Sequence, residues 1–271
     1  MRLKQITVLY FSPTGGTQRI GRFVAGELAR RLGLEARFID FTGPEARRKD
    51  HRFRADELAL IAIPVYAGRV PNKLLPELED RLSGSGTPVI PVCVFGNRSP
   101  GSAVQELGRL LEHNGFHIVG AAAFVCRHAF SDKVGTGRPD GADWAQMREF
   151  SAQVADRLAG AGLPPLMEIS QGEIGPYYTP LKRDGSPARF LKARPVTACA
   201  LCTKCGLCTE VCPMGSIDAE TMEASGLCIK CQACVRRCPA GAKHFEDMDF
   251  LSHVAMLEQN YCGRAENMIF L

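Results

Sequence analysis

Nine of the twelve cysteines in this 271-residue chain fall between Cys199 and Cys238. Eight of them form two runs of one spacing, C-x2-C-x2-C-x3-C-P. The first is Cys202, Cys205, Cys208, Cys212 and Pro213; the second is Cys228, Cys231, Cys234, Cys238 and Pro239. A clump this tight points to metal rather than to disulfide stapling. Three thiolates at i, i+3 and i+6 can wrap one face of a polynuclear centre, and the proline turns the chain after the fourth. Metal-binding thiols are needed as thiolates, which persist in a reducing compartment. The N-terminus, Met1-Arg2-Leu3-Lys4, runs into a strand-like stretch rather than a signal peptide. The expected location is therefore cytoplasmic.

Two metals suit such thiols. Zinc takes cysteine pairs at x2 spacing, but usually as two pairs set well apart. Four cysteines in one run, repeated with its proline, is an iron–sulfur pattern in which the fourth cysteine serves the other cluster. That pattern assigns Cys202, Cys205, Cys208 and Cys238 to one [4Fe–4S] cluster, and Cys228, Cys231, Cys234 and Cys212 to the other. Cys199 adds one more C-x2-C step, but a triple starting there loses the x3-C-P step. It is read as a thiol outside both sets.

Residues 1–160 have a different character. Gln5 to Phe11, Glu35 to Phe41, Leu58 to Ile63, Pro88 to Phe95 and His117 to Val125 read as strands. The nearly continuous apolar run Leu58–Ile63 suits a strand buried on both faces. Ile20, Phe23, Val24, Leu28 and Leu32 recur at helical spacing, and Gly33 supplies a stop. Further helices are expected at about 72–83, 101–114 and 142–159. This alternation predicts an α/β fold, a doubly wound sheet of five parallel strands with helices on both faces. Residues 161–197 hold six prolines and read as an extended connector. The cysteine-rich block, with its internal repeat, spans 198–246. A tail, 247–271, carries Phe250, Leu251, Val254 and Leu257 at helical spacing and is expected to dock as a helix.

The loop between the first strand and first helix is Ser12-Pro13-Thr14-Gly15-Gly16-Thr17. Glycines let a backbone approach an anion, and hydroxyls and helix N–H groups bind it. The loop is neither a Walker A nor a dinucleotide fingerprint. It matches the [ST]-x-T-G-x-T phosphate loop of flavodoxins, which hold flavin mononucleotide (FMN). Two other loops are expected at the same sheet edge: Pro64-Val65-Tyr66-Ala67-Gly68, continuing to Arg69-Val70-Pro71, and Gly96-Asn97-Arg98. Tyr66 and the small residues around it suit a flat ring.

Together the two halves resemble a family of flavodoxin–ferredoxin fusion proteins of anaerobic microbes. The resemblance rests on these loops, on Gly137-Arg138-Pro139-Asp140 with Asp143, on the twin cysteine runs and on the helical tail. It implies a flavodoxin-like domain with FMN, a small α+β two-cluster ferredoxin domain, and one-electron transfer. One departure stands out. Such proteins often place an aromatic residue after Gly-Asn-Arg, to cover the second face of the flavin, where this chain has Ser99-Pro100-Gly101.

The expected function is an electron relay between soluble redox proteins through FMN and two [4Fe–4S] clusters. The rival is a flavin reductase acting on a small substrate at an open flavin face. A third class is a redox sensor with structural clusters. Arg69, Arg98 or Arg127 is expected beside the flavin, where positive charge favours its anionic reduced form. His128 and Ser131 are weaker candidates for the flavin edge. Cys93 and Cys126 read as core thiols, and Arg47-Arg48-Lys49 as a solvated turn. No apolar run approaches the ~18 residues that a membrane helix needs. The net charge of +4 is spread along the chain and offers nucleic acid no concentrated patch.

Overall fold

The computed structural model describes residues 3–160, 162, 169 and 171–271. The chain opens with β1 (Gln5–Tyr10), α1 (Gly16–Leu32) and β2 (Glu35–Asp40). A short α2 (Pro44–Arg47) and β3 (His51–Arg52) lead to β4 (Glu57–Pro64), α3 (Leu75–Arg81) and β5 (Leu82–Ser83). Then come β6 (Thr87–Phe95), α4 (Ala103–His113), β7 (Phe116–Ile118), β8 (Ala121–Val125) and α5 (Gly141–Leu158). The C-terminal part contains β9 (Val196–Thr197), α6 (Leu207–Glu210), α7 (Ala233–Arg237), β10 (Lys243–His244), α8 (Met248–Asn260) and β11 (Met268–Phe270).

The main sheet runs β11-β8-β6-β4-β1-β2, with β7 also on β6. Its five long strands β2, β1, β4, β6 and β8 are all parallel. Counted among themselves they have the order 2-1-3-4-5, that of the flavodoxin-like doubly wound fold. The period-2 alternation of each strand divides the core. Val8, Tyr10, Leu60 and Ala62 pack under α1 and α5 with Ile20, Val24, Phe150 and Val154. Leu9, Phe11, Ile61 and Ile63 pack on the other face with Leu78, Leu107 and Leu111 of α3 and α4. Burial on both faces explains why β4 and β6 read as apolar runs.

Three expectations change. The stretch from His117 to Val125 is two strands, β7 and β8, broken at Val119-Gly120. The tail is helical only through α8. It then turns and lays β11 antiparallel against β8, Ile269 opposite Ala122, so the parallel edge is covered by the C-terminus of the chain. Of the run Arg47-Arg48-Lys49, Arg48 and Lys49 are exposed as expected, but Arg47 is buried. The connector's prolines 164 and 165 lie outside the described residues. From 171 onward the connector has no helix, and it lies against both halves.

Candidate functional site

The cysteine block is closed by the β9–β10 pair, with Thr197 opposite Lys243. Within it each four-residue set surrounds its own hollow. Cys202, Cys205, Cys208 and Cys238 line one; Cys212, Cys228, Cys231 and Cys234 line the other. The fourth cysteine of each run has therefore crossed to the other set. Each set surrounds a space, and among the described residues no His, Cys, Asp and Glu group closes on a single ion. Four thiols around a hollow suit a polynuclear cluster. The surrounding backbone donates toward the sulfurs: Ser216 N–H to Cys212 Sγ at 3.4 Å and Ala242 N–H to Cys238 Sγ at 3.3 Å. Backbone donors at Ala242, Ala240, Lys243 and Gly241 outweigh burial at Cys238 and hold its thiol below the ordinary value. Such donors favour the thiolate that a metal requires. Cys199 is exposed and lines neither hollow.

A cavity of about 240 Å³ sits at the C-terminal edge of the parallel strands. Pro13, Thr14, Gly16 and Thr17 line it from the first loop, Pro64, Val65, Tyr66 and Ala67 from the second, and Gly96 and Arg98 from the third. Gly15 starts α1 at φ 88° with no side-chain cap, and the first turn of α1 has no acidic residue. An N-terminus of this kind suits an anion. Gly16 has a steric reason as well, since a Cβ there would lie 2.8 Å from Cys126 Sγ.

Four of the expected loop residues stand outside the lining. Ser12 is buried, and its Oγ accepts from Gln18 N–H at 2.9 Å, fastening the first turn of α1. Gly15 and Gly68 serve backbone geometry at positive φ. Asn97 turns away: its Nδ2 donates to the carbonyls of Tyr261 and Gly263, each at 2.7 Å, and its Oδ1 accepts from Ala265 N–H. It anchors the tail.

Among the basic candidates, Arg98 and Arg127 line the cavity. Arg69 does not. Its guanidinium forms a bidentate pair with Glu106, 2.7 Å from Nε to Oε2, and donates to the Gly175 carbonyl. Ser131 is likewise occupied, donating to Glu258 Oε1 at 2.7 Å. His128 does line the cavity. Burial pushes its pKa down to about 4, helped by His253, Arg98 and Arg236. Cys93 is buried, as expected of a core thiol, whereas Cys126 reaches the cavity wall. Arg138 and Asp143 form a buried ion pair that also fixes the start of α5, where Asp140 and Asp143 make a capping box.

The remaining wall comes from far along the chain. Tyr178, Pro180 and Phe190 of the connector, His253 and Leu257 of α8, and Ile229, Lys230 and Cys231 of the cysteine block all line this cavity. Tyr178 N–H donates to the Ala67 carbonyl at 2.8 Å, and the Arg98 guanidinium lies 3.8 Å from the Tyr178 ring centre. An aromatic ring, that of Tyr178, thus stands beside Arg98 in the cavity wall, where the chain has none directly after Gly96-Asn97-Arg98. The local sequence carries no signal that would have placed Tyr178 beside Arg98. Tyr66 and Cys231 line the same cavity, and burial, reinforced by Cys231 and Cys228, raises the Tyr66 phenol.

The 4Fe–4S binding domain family matches residues 200–218 and again residues 225–241. Each match holds one full cysteine run, and both leave out Cys199. A search of curated proteins finds no match. Among solved structures, a flavodoxin from Pseudomonas aeruginosa is 15% identical, covering 58% of this chain and 99% of its own, at TM-score 0.39. The flavodoxin of Megasphaera elsdenii is 17% identical over 56% of this chain and 99% of its own, at TM-score 0.36. An NADH:FMN oxidoreductase is 14% identical over 60% and 93%, at TM-score 0.38. The strand order itself carries the fold assignment: the chain joins a flavodoxin-like α/β domain to a twin 4Fe–4S ferredoxin segment.

Proposed function

We propose that the protein relays electrons between soluble redox proteins, holding FMN in the large cavity and a [4Fe–4S] cluster in each cysteine-lined hollow. The observation that carries this reading is that Cys231, one of the second cysteine set, lines the same cavity as Thr14, Thr17 and Tyr66. When bound, FMN supplies one- or two-electron exchange and each cluster one-electron exchange.

In this reading Thr14, Gly16 and Thr17 hold the phosphate with the N–H groups opening α1. Tyr66, Ala67, Gly96 and Tyr178 bracket the ring. Arg98 and Arg127 add positive charge at the ring edge, which favours a reduced, anionic flavin. Ile229 and Lys230 pack at the cavity wall beside Cys231 and exclude water between the two redox sites. Tyr178, Phe190 and the Ile229–Cys231 turn line the same cavity, which supports the relay reading.

The test is to purify the chain without oxygen and measure flavin, iron and sulfide. About one FMN and about eight iron per chain are expected from two four-iron clusters. A one-electron reductant should then bleach the flavin through the clusters, and this should slow when Cys231 is replaced. Zinc without flavin would sink the scheme, and turnover of a small substrate would establish the reductase.

A further inference from the structure

Lys243 is 3% exposed, inside the cysteine block. Its Nζ donates to Thr197 Oγ1 at 2.7 Å and to the Met222 carbonyl. Both acceptors are neutral, and among the described residues no carboxylate lies within ion-pair distance of Nζ. A buried ammonium without a counter-charge is costly. The anions within its reach are thiolates. Lys243 lines the hollow of the first set, and its strand β10 packs against α7, which carries Cys234 of the second. The contact network is tight around it. Thr197 Oγ1 also bonds the Met222 carbonyl at 3.0 Å, and Met222 Sδ lies 3.7 Å from Cys208 Sγ. The ammonium is held in place between the two sets.

We propose that Lys243 is the shared counter-charge of both clusters and raises both reduction potentials. The inference rests on the two-cluster reading above. In each step the donor loses one electron and the cluster gains one negative charge, with no bond made or broken. A fixed positive charge stabilises that added negative charge. Because the charge serves both sets, removing it should move both clusters in one direction. A residue that only packed against one of them would not.

The test is a potentiometric titration with dithionite, following each cluster by electron paramagnetic resonance in the full chain and in K243R, K243Q and K243M. In the neutral variants both midpoints should fall, each by about tenfold in the reduction equilibrium, equivalent to about 59 mV for one electron. K243R, which keeps the charge, should stay near the parent. Unmoved midpoints in K243Q and K243M overturn the proposal, as does an equal fall in K243R. If the neutral variants assemble no clusters while K243R does, the need for the charge stands. If all three fail to assemble, Lys243 is a packing residue and the proposal is wrong. Absence of reducible clusters in the parent chain is a different result, which rejects the reading of the cysteines itself.

Discussion

Arg47, 3% exposed in α2, places its Nη2 2.5 Å from the backbone carbonyl of Pro213, the residue after Cys212. One side chain of the α/β half thereby grips the turn that follows a candidate cluster ligand. Arg47 also bonds the Thr42 carbonyl and lies 3.5 Å from Glu77. Arg236 makes a matching grip from the other side, bonding the Ala129 carbonyl at 2.9 Å. These two contacts, with the Tyr178 strap, set how the cysteine block meets the flavodoxin-like domain.

Replacing Arg47 should loosen that junction. A hydrogen bond from a charged donor contributes about 2 kcal/mol, and R47A leaves the Pro213 carbonyl without it. A lower unfolding midpoint, with faster proteolysis near the cysteine block, is the expected result. Differential scanning calorimetry and limited digestion measure both.

The His128 environment gives a pH dependence with a defined sign. Its Nδ1 accepts from Phe130 N–H at 3.1 Å, which requires that nitrogen to be unprotonated. Burial lowers its pKa from 6.5 to about 4. The unfolded chain therefore binds the proton more readily. Stability from this residue is complete above pH 6.5, falls as pH drops toward about 4, and levels off below. The loss is up to about 3 kcal/mol across the window. H128Q should flatten that part of a stability-versus-pH curve measured by urea denaturation.

Gly16 should tolerate no side chain while Cys126 is present. A Cβ would stand 2.8 Å from Cys126 Sγ, and overpacking of this kind costs about 1–3 kcal/mol. G16A is expected to weaken flavin binding roughly tenfold or more, and C126A in the same chain should restore much of it. Fluorescence titration with FMN gives both affinities; equal weakening with and without C126A would place the effect elsewhere.

Crossed cysteine sets make a pattern that iron analysis can read. C212A should lose the same cluster as C228A, and C238A the same one as C202A. Each should retain about half of the iron. C199A should keep the full amount. Loss of one cluster by C212A together with C202A would mean that the runs do not interleave.

Asn97 should behave as an anchor of the tail. It stands at φ 61° and holds the carbonyls of Tyr261 and Gly263. N97G accommodates the positive φ but loses those bonds. The expected outcome is faster hydrogen exchange in β11 and in β8, measured by mass spectrometry, at little cost to the rest of the sheet.

Much of this protein was legible in local sequence because the relevant physics is local. The continuous apolar runs of β1, β4 and β6 followed from burial on both faces. The spacing of Cys202 to Cys212 and of Cys228 to Cys238 marked the metal block, because ligands on one short loop must sit at fixed intervals. The glycine loop ending at Thr17 marked a candidate anion site for the same reason. Other features depend on residues far apart in the chain. Arg47 looked like part of a charged turn, and only docking of the cysteine block buried it against Pro213. Asn97, expected at the flavin, turned to meet a tail more than a hundred residues later. Tyr178 became the aromatic cover of the cavity because the connector's backbone bonds Ala67. Lys243 became a buried cation because β9 and β10 close over it. Which segments form strands, helices and cysteine clusters was readable from periodicity and spacing along one stretch of chain. Which charges are buried and what lines the cavity came from the folded chain, since burial depends on which distant surfaces meet.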